Sequence, residues 1–380
     1  MKGDEGHITR RGFMHTAAAG LVVASGTAGL VEAGLAAKVF GGEAVPNAGA
    51  ALGSTDAEAK AAGDGGGTGS ARVVSVKSAG AFSGTEPDAG VVARMLEAGA
   101  GALVAGGAQL WRTLFEPGDV VGIKLNCISR SAKPNKALIE AVVAQLKAAG
   151  VRENNIIVWD RFEEQIARRA RLTLNRGTGG VRVYGTEKGP DDMTGYDEKV
   201  YYETDKDTPE YRGPSGTKSL VTRIVTTDCT KIINMPVLKD HNQAGITACL
   251  KNMAFGSVNN TARFHKAPMY CSPAISDIYA TREVREKTVL HVVDALRVCY
   301  NGGPDAPNAA YIASFGTIYL ATDPVACDTI ALEAVQRLRA DAGLPDLFAT
   351  SGQPVHVADA AAKGLGVGER PKIELVALTV

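Results

Sequence analysis

The sequence lacks the short motifs that mark common cofactor and metal sites. Its 6 cysteines are widely separated and none forms a Cys-x-x-Cys pair, so a ferredoxin-type iron–sulfur motif and a zinc-ribbon motif are both absent. There is no Walker motif, and no Gly-x-Gly-x-x-Gly run stands where it could bind a dinucleotide. The chain therefore carries no sequence signature of a nucleotide, an iron–sulfur cluster or a structural zinc ion.

The sequence also lacks net charge and long apolar runs. Lys and Arg together number 41, Asp and Glu together number 41, and no long basic run follows the N-terminal segment. Nucleic-acid binding therefore has no electrostatic support. Beyond the N-terminal segment, no apolar stretch reaches the roughly 18 residues that a membrane-spanning helix needs. We expect no nucleic-acid partner and no stable membrane span after cleavage of that segment.

The cysteines favour buried thiols over a disulfide framework. Most of them lie inside apolar strand or helix patterns, where cysteine usually behaves as a small buried hydrophobe. Disulfides in an oxidising compartment are the alternative. The cysteines are Cys127, Cys229, Cys249, Cys271, Cys299 and Cys327.

The N-terminal segment has the pattern of a twin-arginine export signal. Arg10 and Arg11 are followed by Gly-Phe-Met and by the weakly hydrophobic run 17–37, which glycines and one glutamate interrupt. We interpret residues 1–37 as this signal, which carries folded proteins, often with a cofactor already bound, out of the cytoplasm. A chance Arg-Arg pair in a disordered N-terminus is the alternative. The signal predicts a periplasmic or other extracytoplasmic location, with cleavage near Ala36 or Ala50.

The rest of the chain predicts a linker and a large α/β region. Residues 38–71 are rich in Gly and Ala and cannot bury a core, so we expect a flexible linker. Residues 72–380 alternate strands and helices, which favours a mainly parallel sheet with flanking helices, in a single α/β domain or two packed lobes. An irregular excursion with short strands near 181–184 and 200–204 is expected over 176–218. The other predicted elements are the strands 73–77, 120–126, 156–159, 231–237, 288–293, 317–321 and 372–380 and the helices 88–98, 105–114, 135–149, 244–253, 274–285 and 324–340.

Polar side chains stand at the carboxyl ends of successive predicted strands. Ligands of open α/β sheets bind beyond these ends, because the loops there converge and helix N-termini point toward them. We therefore expect one polar crevice at a single edge of the sheet. The residues at these ends are Lys124, Asn126, Asp160, Arg161, Lys239, Asp240, His241, Asp294 and Asp323, with Asp328 one turn into the following helix.

The segment 232–253 has the densest group of candidate site residues. Lys239, His241, Lys251 and Asn252 supply hydrogen-bond donors but few acceptors, which favours a phosphate or carboxylate ligand near a helix N-terminus. His241 and Lys239 are candidate catalytic residues, since a histidine can act as a general acid or base near neutral pH. A His241 that only caps a helix is the alternative.

Carboxylates at the predicted strand ends suggest a divalent metal ion as a second ligand type. Asp294, Asp323 and Asp328 could hold a hard or borderline cation beside a histidine. Asp323 followed by Pro324 also satisfies a helix start on structural grounds alone. Both interpretations stay open at this stage, and the cofactor is unknown.

Four blocks of this sequence resemble one protein family. The segments 118–126, 232–256, 293–304 and 321–328 resemble the family known as domain of unknown function 362 through a Lys-x-Asn strand end, a Pro-Val-Leu-Lys-x-His block with a later Leu-Lys-Asn, and an Asp-Pro-Val-Ala-x-Asp helix start. The resemblance spans roughly 72–345 and implies an α/β fold. The residues on its motif positions are Lys124, Asn126, Lys239, His241, Lys251, Asn252, Asp323 and Asp328.

The resemblance implies no particular reaction. Many relatives carry an additional ferredoxin module that binds iron–sulfur clusters, and the motif of that module is absent from this sequence. The leading hypothesis is an exported protein whose crevice binds an anionic small molecule or a metal-containing cofactor. The rival is a non-catalytic periplasmic binding or redox-partner protein working with a separate iron–sulfur protein, and a third possibility is a scaffold whose crevice is vestigial.

Overall fold

A large mixed sheet organises the chain. In the computed structural model, which describes residues 69–104, 109–189, 192–305, 308–350 and 352–380, ten strands belong to this sheet. The predicted signal 1–37 and the predicted linker up to residue 68 lie outside the described residues. The described strands are β1 (Ala71–Lys77), β2 (Phe82–Ser83), β3 (Glu86–Pro87), β4 (Val121–Lys124), β5 (Ile156–Phe162), β6 (Arg182–Glu187), β7 (Tyr196–Glu203), β8 (Lys218–Thr222), β9 (Lys231–Asn234), β10 (Val237–His241), β11 (Gly245–Thr247), β12 (Thr288–Cys299), β13 (Ile312–Ala321) and β14 (Ile373–Thr379).

The sheet is mostly parallel, with one reversed strand near its centre. The strand order is β14-β1-β13-β12-β9-β4-β5-β6. In addition, β10 pairs with both β12 and β11. The neighbours β12-β9, β9-β4, β4-β5, β5-β6 and β1-β14 are parallel. Strand β13 runs antiparallel to both β1 and β12. The predicted α/β class with a mainly parallel sheet is confirmed.

Helices cover both faces of the sheet. The helices are α1 (Ala89–Leu103), α2 (Leu110–Leu114), α3 (Lys136–Ala148), α4 (Glu163–Gln165), α5 (Cys249–Gly256), α6 (Ala274–Tyr279), α7 (Arg282–Lys287), α8 (Pro324–Asp341) and α9 (Val355–Ala362). Successive strand residues point to opposite faces, so Val73 and Val74 of β1 belong to different hydrophobic cores, as do Ile232 and Ile233 of β9. Helices α1 and α3 pack on the Val74 side, and α5, α6, α8 and α9 pack on the Val73 side.

The excursion 176–218 is more regular than its composition suggests. Strand β6 extends the main sheet in parallel with β5, and β7 pairs with β8 in a separate two-stranded sheet. The two short strands expected there exist, and both are longer than predicted.

The predicted strand 231–237 and helix 244–253 are both wrong in part. The strand is two strands, β9 and β10, that separate at Met235 and Pro236. Pro236 has no backbone N–H to donate to a neighbouring strand, which explains the break. Residues Gly245–Thr247 form β11 against β10, and helix α5 begins only at Cys249.

Other helix boundaries differ for similar local reasons. Helix α1 continues through Gly99 to Leu103, whereas the predicted helix ended at residue 98. A side chain at Gly99 would collide with Leu320 and Val76 of the sheet, so this glycine allows the helix to pack closely. The single helix expected over 274–285 is two short helices, α6 and α7. Of the helix expected over 105–114, residues 105–108 lie outside the described part of the chain.

All 6 cysteines of the sequence are buried free thiols, as the apolar patterns around them predicted. Among the described helices, none is both long and apolar enough to span a membrane. The described residues form one compact unit.

Candidate functional site

A polar cleft lies beside the carboxyl-terminal parts of β4, β5 and β10 and against helix α5. Its cavity volume is about 160 Å³. Most of the predicted site residues line this cleft. Lys239 is buried outside the lining, and its ammonium donates a hydrogen bond to Asn126 of the lining. The predicted residues that line the cleft are Lys124, Asn126, Asp160, Arg161, His241, Lys251 and Asn252.

Lys124 and Asp160 form a buried ion pair at the base of the cleft. The Lys124 Nζ atom lies 2.7 Å from Asp160 Oδ1, and the two side chains are 1% and 9% exposed. Asp160 also accepts hydrogen bonds from the backbone N–H groups of Cys127 at 2.6 Å and Arg161 at 2.7 Å. Gly256 of α5 lies so close to the Lys124 ammonium that any larger side chain there would displace it. The charges of Lys124 and Asp160 are therefore mutually compensated.

A chain of carboxamides joins the strands to α5. The Nδ2 atom of Asn126 donates to Asn252 Oδ1 at 2.9 Å, and Asn252 Nδ2 donates to Asn234 Oδ1 at 2.7 Å. Lys239 donates to Asn126 Oδ1, and Lys124 donates to Asn252 Oδ1 at 3.3 Å. Since protein groups already engage these amides, the geometry gives Asn126 and Asn252 a role in holding the lysines in place.

Asn234 is a member of this network that the sequence reasoning missed. It is fully buried at the end of β9, in register with Lys124 of β4. Its position at the end of a buried strand, beside a strand that ends in lysine, is the signal that could have identified it.

Lys239 and Lys251 differ from Lys124 because no carboxylate of the described residues pairs with them. Lys239 is fully buried and Lys251 is 9% exposed. The Lys251 ammonium lies 4.9 Å from the centre of the Phe255 ring. Among the described residues, no side chain or backbone group accepts a hydrogen bond from this ammonium. Burial, together with the charge of Lys251, lowers the pKa of Lys239 to about 7. Burial also lowers the pKa of Lys251.

The Nδ1 atoms of the two histidines of the cleft have opposite hydrogen-bonding roles: one accepts and the other donates. His241 Nδ1 accepts from the backbone N–H groups of Gln243 at 3.1 Å and Ala244 at 3.2 Å. His265 Nδ1 lies 2.9 Å from the carbonyl oxygen of Thr261, which can only accept, so this nitrogen carries the proton. The two ring centres are 5.5 Å apart. Burial lowers the pKa of both rings, that of His265 to about 3.

Arg161 forms one wall of the cleft. Its Nε atom lies 2.8 Å from Glu187 Oε1, and a terminal nitrogen lies 3.2 Å from the Thr261 hydroxyl. Tyr196 donates to the same Glu187 oxygen at 2.7 Å. The guanidinium is therefore paired with a carboxylate, as Lys124 is.

The three aspartates proposed as metal ligands have structural partners. Asp323 accepts from the N–H groups of Val325 and Ala326 at 2.9 Å and caps α8. Asp294 is held by Asn135 at 2.8 Å. Within the described ranges there is no group of three or more His, Cys, Asp or Glu side chains that could hold a metal ion.

The prediction that Asp323 reaches the same edge as the other strand ends is wrong. Strand β13 runs antiparallel to β12, so its carboxyl end faces the opposite direction from those of β4, β9 and β12. Asp328 also lies away from the cleft lining, since it accepts from the N–H groups of Cys249 at 2.6 Å and Leu250 at 3.0 Å at the start of α5. The helix N-terminus expected to face an anion is thus capped by a carboxylate of the protein itself.

Sequence reasoning also left several lining residues out of the predicted site. Thr247 falls within the predicted helix 244–253 and Phe255 follows it closely, whereas Thr261 and His265 lie in the loop after α5. The polar loop after the Leu-Lys-Asn motif was visible in the sequence. This loop packs against His241 through His265, and that tertiary contact has no local signal in the sequence.

The fold and the cleft thus define an α/β protein with a buried, lysine-rich polar site at one sheet edge. A family model for a domain of unknown function, DUF362, matches residues 121–333, from the start of β4 into α8, and the chain belongs to this family. No curated protein matches the chain.

One solved structure with a partial likeness is a protein from Thermotoga maritima determined by a structural genomics consortium. It is 12% identical, with a TM-score of 0.40 over 69% of this chain. The chain covers 61% of that protein's length.

Proposed function

We propose that this DUF362 protein is an exported protein whose cleft binds a small anionic molecule. The observation that carries the proposal is the pair of buried lysines, Lys239 and Lys251, without acidic partners among the described residues. The proposal names a ligand class and leaves the reaction unassigned. A metal role for the strand-end aspartates is not part of it.

The charge balance of the cleft supports this ligand class. Lys124 is compensated by Asp160, and Arg161 is compensated by Glu187. Burying an ammonium without a counter-ion costs several kcal/mol, so a lysine so placed either loses its proton or gains an anionic partner. Two lysines in this state favour an anion in the cleft, because one bound charge beside Lys251 would also stabilise the charge of Lys239.

Each site residue then has a physical role. Lys251 lines the cleft and would contact the anion directly, whereas Lys239 would act through its charge from behind Asn126. His241 has its Nδ1 engaged by two backbone N–H groups, so the neutral ring carries its proton on Nε2 and is a hydrogen-bond donor. The arrangement favours His241 as a donor to the anion over the general base that its sequence context suggested.

Calorimetric titration of the purified protein with sulfate, phosphate, acetate and glycolate tests the proposal. Lys251→Met keeps an unbranched side chain of similar length and removes its charge. We expect at least one anion to bind, and the variant to weaken that binding by at least about ten-fold, since hydrogen bonds to charged groups contribute roughly 1.5–3 kcal/mol.

The matched control is Lys136→Met, which removes an exposed lysine paired with Glu140 on α3. Its affinity should equal that of the unmodified protein. Absence of binding by every anion, or equal affinities in the Lys251 variant and the control, would refute the proposed ligand class.

The export part of the proposal rests on Arg10 and Arg11. Replacing both with lysine should leave the protein in the cytoplasmic fraction of a bacterial host that has the twin-arginine pathway. Arg72→Lys, on the surface of β1, is the matched control and should be exported normally. Normal export of the double variant would contradict this part of the proposal alone.

A further inference from the structure

His265 presents a hydrogen-bond acceptor to a cleft that also contains the ammonium group of Lys251. Its Nδ1 carries a proton because it is bonded to the Thr261 carbonyl, so Nε2 of the neutral ring has a lone pair. His265 lines the cleft, and no described residue donates a hydrogen bond to its Nε2.

The position of the ring is fixed by its neighbours. His265 lies 5.5 Å from the ring centre of Phe255 and 5.5 Å from that of His241. Contacts on these rings and the Thr261 hydrogen bond together restrict its rotation. The acceptor therefore has a defined direction relative to the donors of the cleft.

The ring also stays neutral over the ordinary pH range. Burial and the nearby positive charge of Lys251 lower the pKa of His265 to about 3. Its Nε2 therefore remains an acceptor at neutral pH, and it cannot add another positive charge to the anion site.

Other oxygen acceptors at the base of the cleft already serve protein donors. Asp160 accepts from Lys124 and two backbone N–H groups. Asn126 accepts from Lys239, and Asn252 accepts from Lys124 and Asn126. We therefore consider a ligand that carries both an anionic group and a hydrogen-bond donor. Its anionic group would contact Lys251 and His241, and its donor would bond to His265.

We propose that His265 is a specificity-determining residue that accepts a hydrogen bond from an O–H group of the anion. The ligand class is thus an anion with an O–H beside its charge, as in hydroxycarboxylates and hydrogen phosphate. This inference rests on the proposed function, because it assigns the chemistry of the same cleft.

Two pairs of probe anions isolate the O–H group. Glycolate and acetate differ by one hydroxyl, and hydrogen phosphate and sulfate have the same shape and charge at about pH 8 but only the former carries an O–H. Titration calorimetry should show that the O–H member of at least one pair binds about five-fold more tightly, the contribution expected of one neutral hydrogen bond.

His265→Phe keeps a planar ring between Phe255 and His241 and removes the acceptor. In this variant, we expect the two members of the discriminated pair to bind equally, with the affinity for the member without O–H changed by less than about three-fold. His265→Gln offers a carbonyl oxygen as a substitute acceptor and should restore part of the preference. The pair that the protein discriminates identifies whether the ligand is a carboxylate or a phosphate.

The outcomes separate this inference from the proposed function. Equal binding within both pairs, or a preference that persists in His265→Phe, overturns the role of His265 and leaves the anion site intact. Failure of all probe anions to bind overturns both.

Discussion

Lys239 shows how burial changes the chemistry of a single side chain. An ordinary lysine is fully charged at neutral pH, but burial and the nearby charge of Lys251 lower the pKa of Lys239 to about 7. The side chain is therefore close to half protonated near neutral pH. Any anion that binds beside it favours the ammonium form and raises the pKa again.

Anion binding should for this reason take up protons above neutral pH. Near pH 8 most Lys239 side chains are neutral, so a bound anion draws a proton from the buffer, and affinity should fall as pH rises above about 7. Calorimetric titrations in two buffers of different ionisation enthalpy measure the uptake. Lys239→Met should abolish it, and an uptake that is zero in the unmodified protein would disprove the coupling.

The start of α5 shows how one helix is positioned by another. Asp328 of α8 is fully buried and accepts two backbone N–H groups, those of Cys249 and Leu250. Because α5 carries Lys251 and Asn252, this carboxylate fixes the helix that supplies the wall of the cleft. The N-cap of α1, Asp88, accepts a single N–H group in a partly exposed position.

Removal of the Asp328 carboxylate should therefore destabilise the protein more than loss of an ordinary cap. We expect Asp328→Ala to lower the free energy of unfolding by at least about 2 kcal/mol, because two buried N–H groups lose their acceptor. Asp88→Ala should cost about 1 kcal/mol. Urea denaturation measures both values, and equal losses would argue against the link between α8 and α5.

At the scale of the whole molecule, buried histidines couple stability to pH. His356 of α9 is 1% exposed, and burial lowers its pKa to about 3. The unfolded chain binds a proton at this side chain below about pH 6.5, whereas the folded protein does not. The stability that this residue contributes is present above pH 6.5 and is lost as pH falls toward 3.

His356→Gln should accordingly be less sensitive to acid. Between about pH 7.5 and pH 5 the unmodified protein should lose about 2 kcal/mol more than the variant, whatever the variant's stability at neutral pH. Denaturation curves at the two pH values supply the comparison. Parallel losses in both proteins would show that His356 does not remain neutral in the folded state.

The sequence predicted the α/β class and the group of residues around Lys239, but it did not predict the direction of β13. Apolar runs and the residues that follow them are local signals, so Lys124, Asp160 and His241 could be assigned to strand ends. The antiparallel direction of β13 depends on the path of the chain between strands and has no local signal, which explains the misplacement of Asp323. The pairing of Lys124 with Asp160, and the lack of such a partner for Lys251 among the described residues, depend on tertiary contacts that have no local signal.

The thiol state of the cysteines bears on where this fold can be completed. Every cysteine is buried and unbonded to another, so folding needs no oxidant and no disulfide exchange. A chain of this kind can therefore complete its covalent structure under reducing conditions.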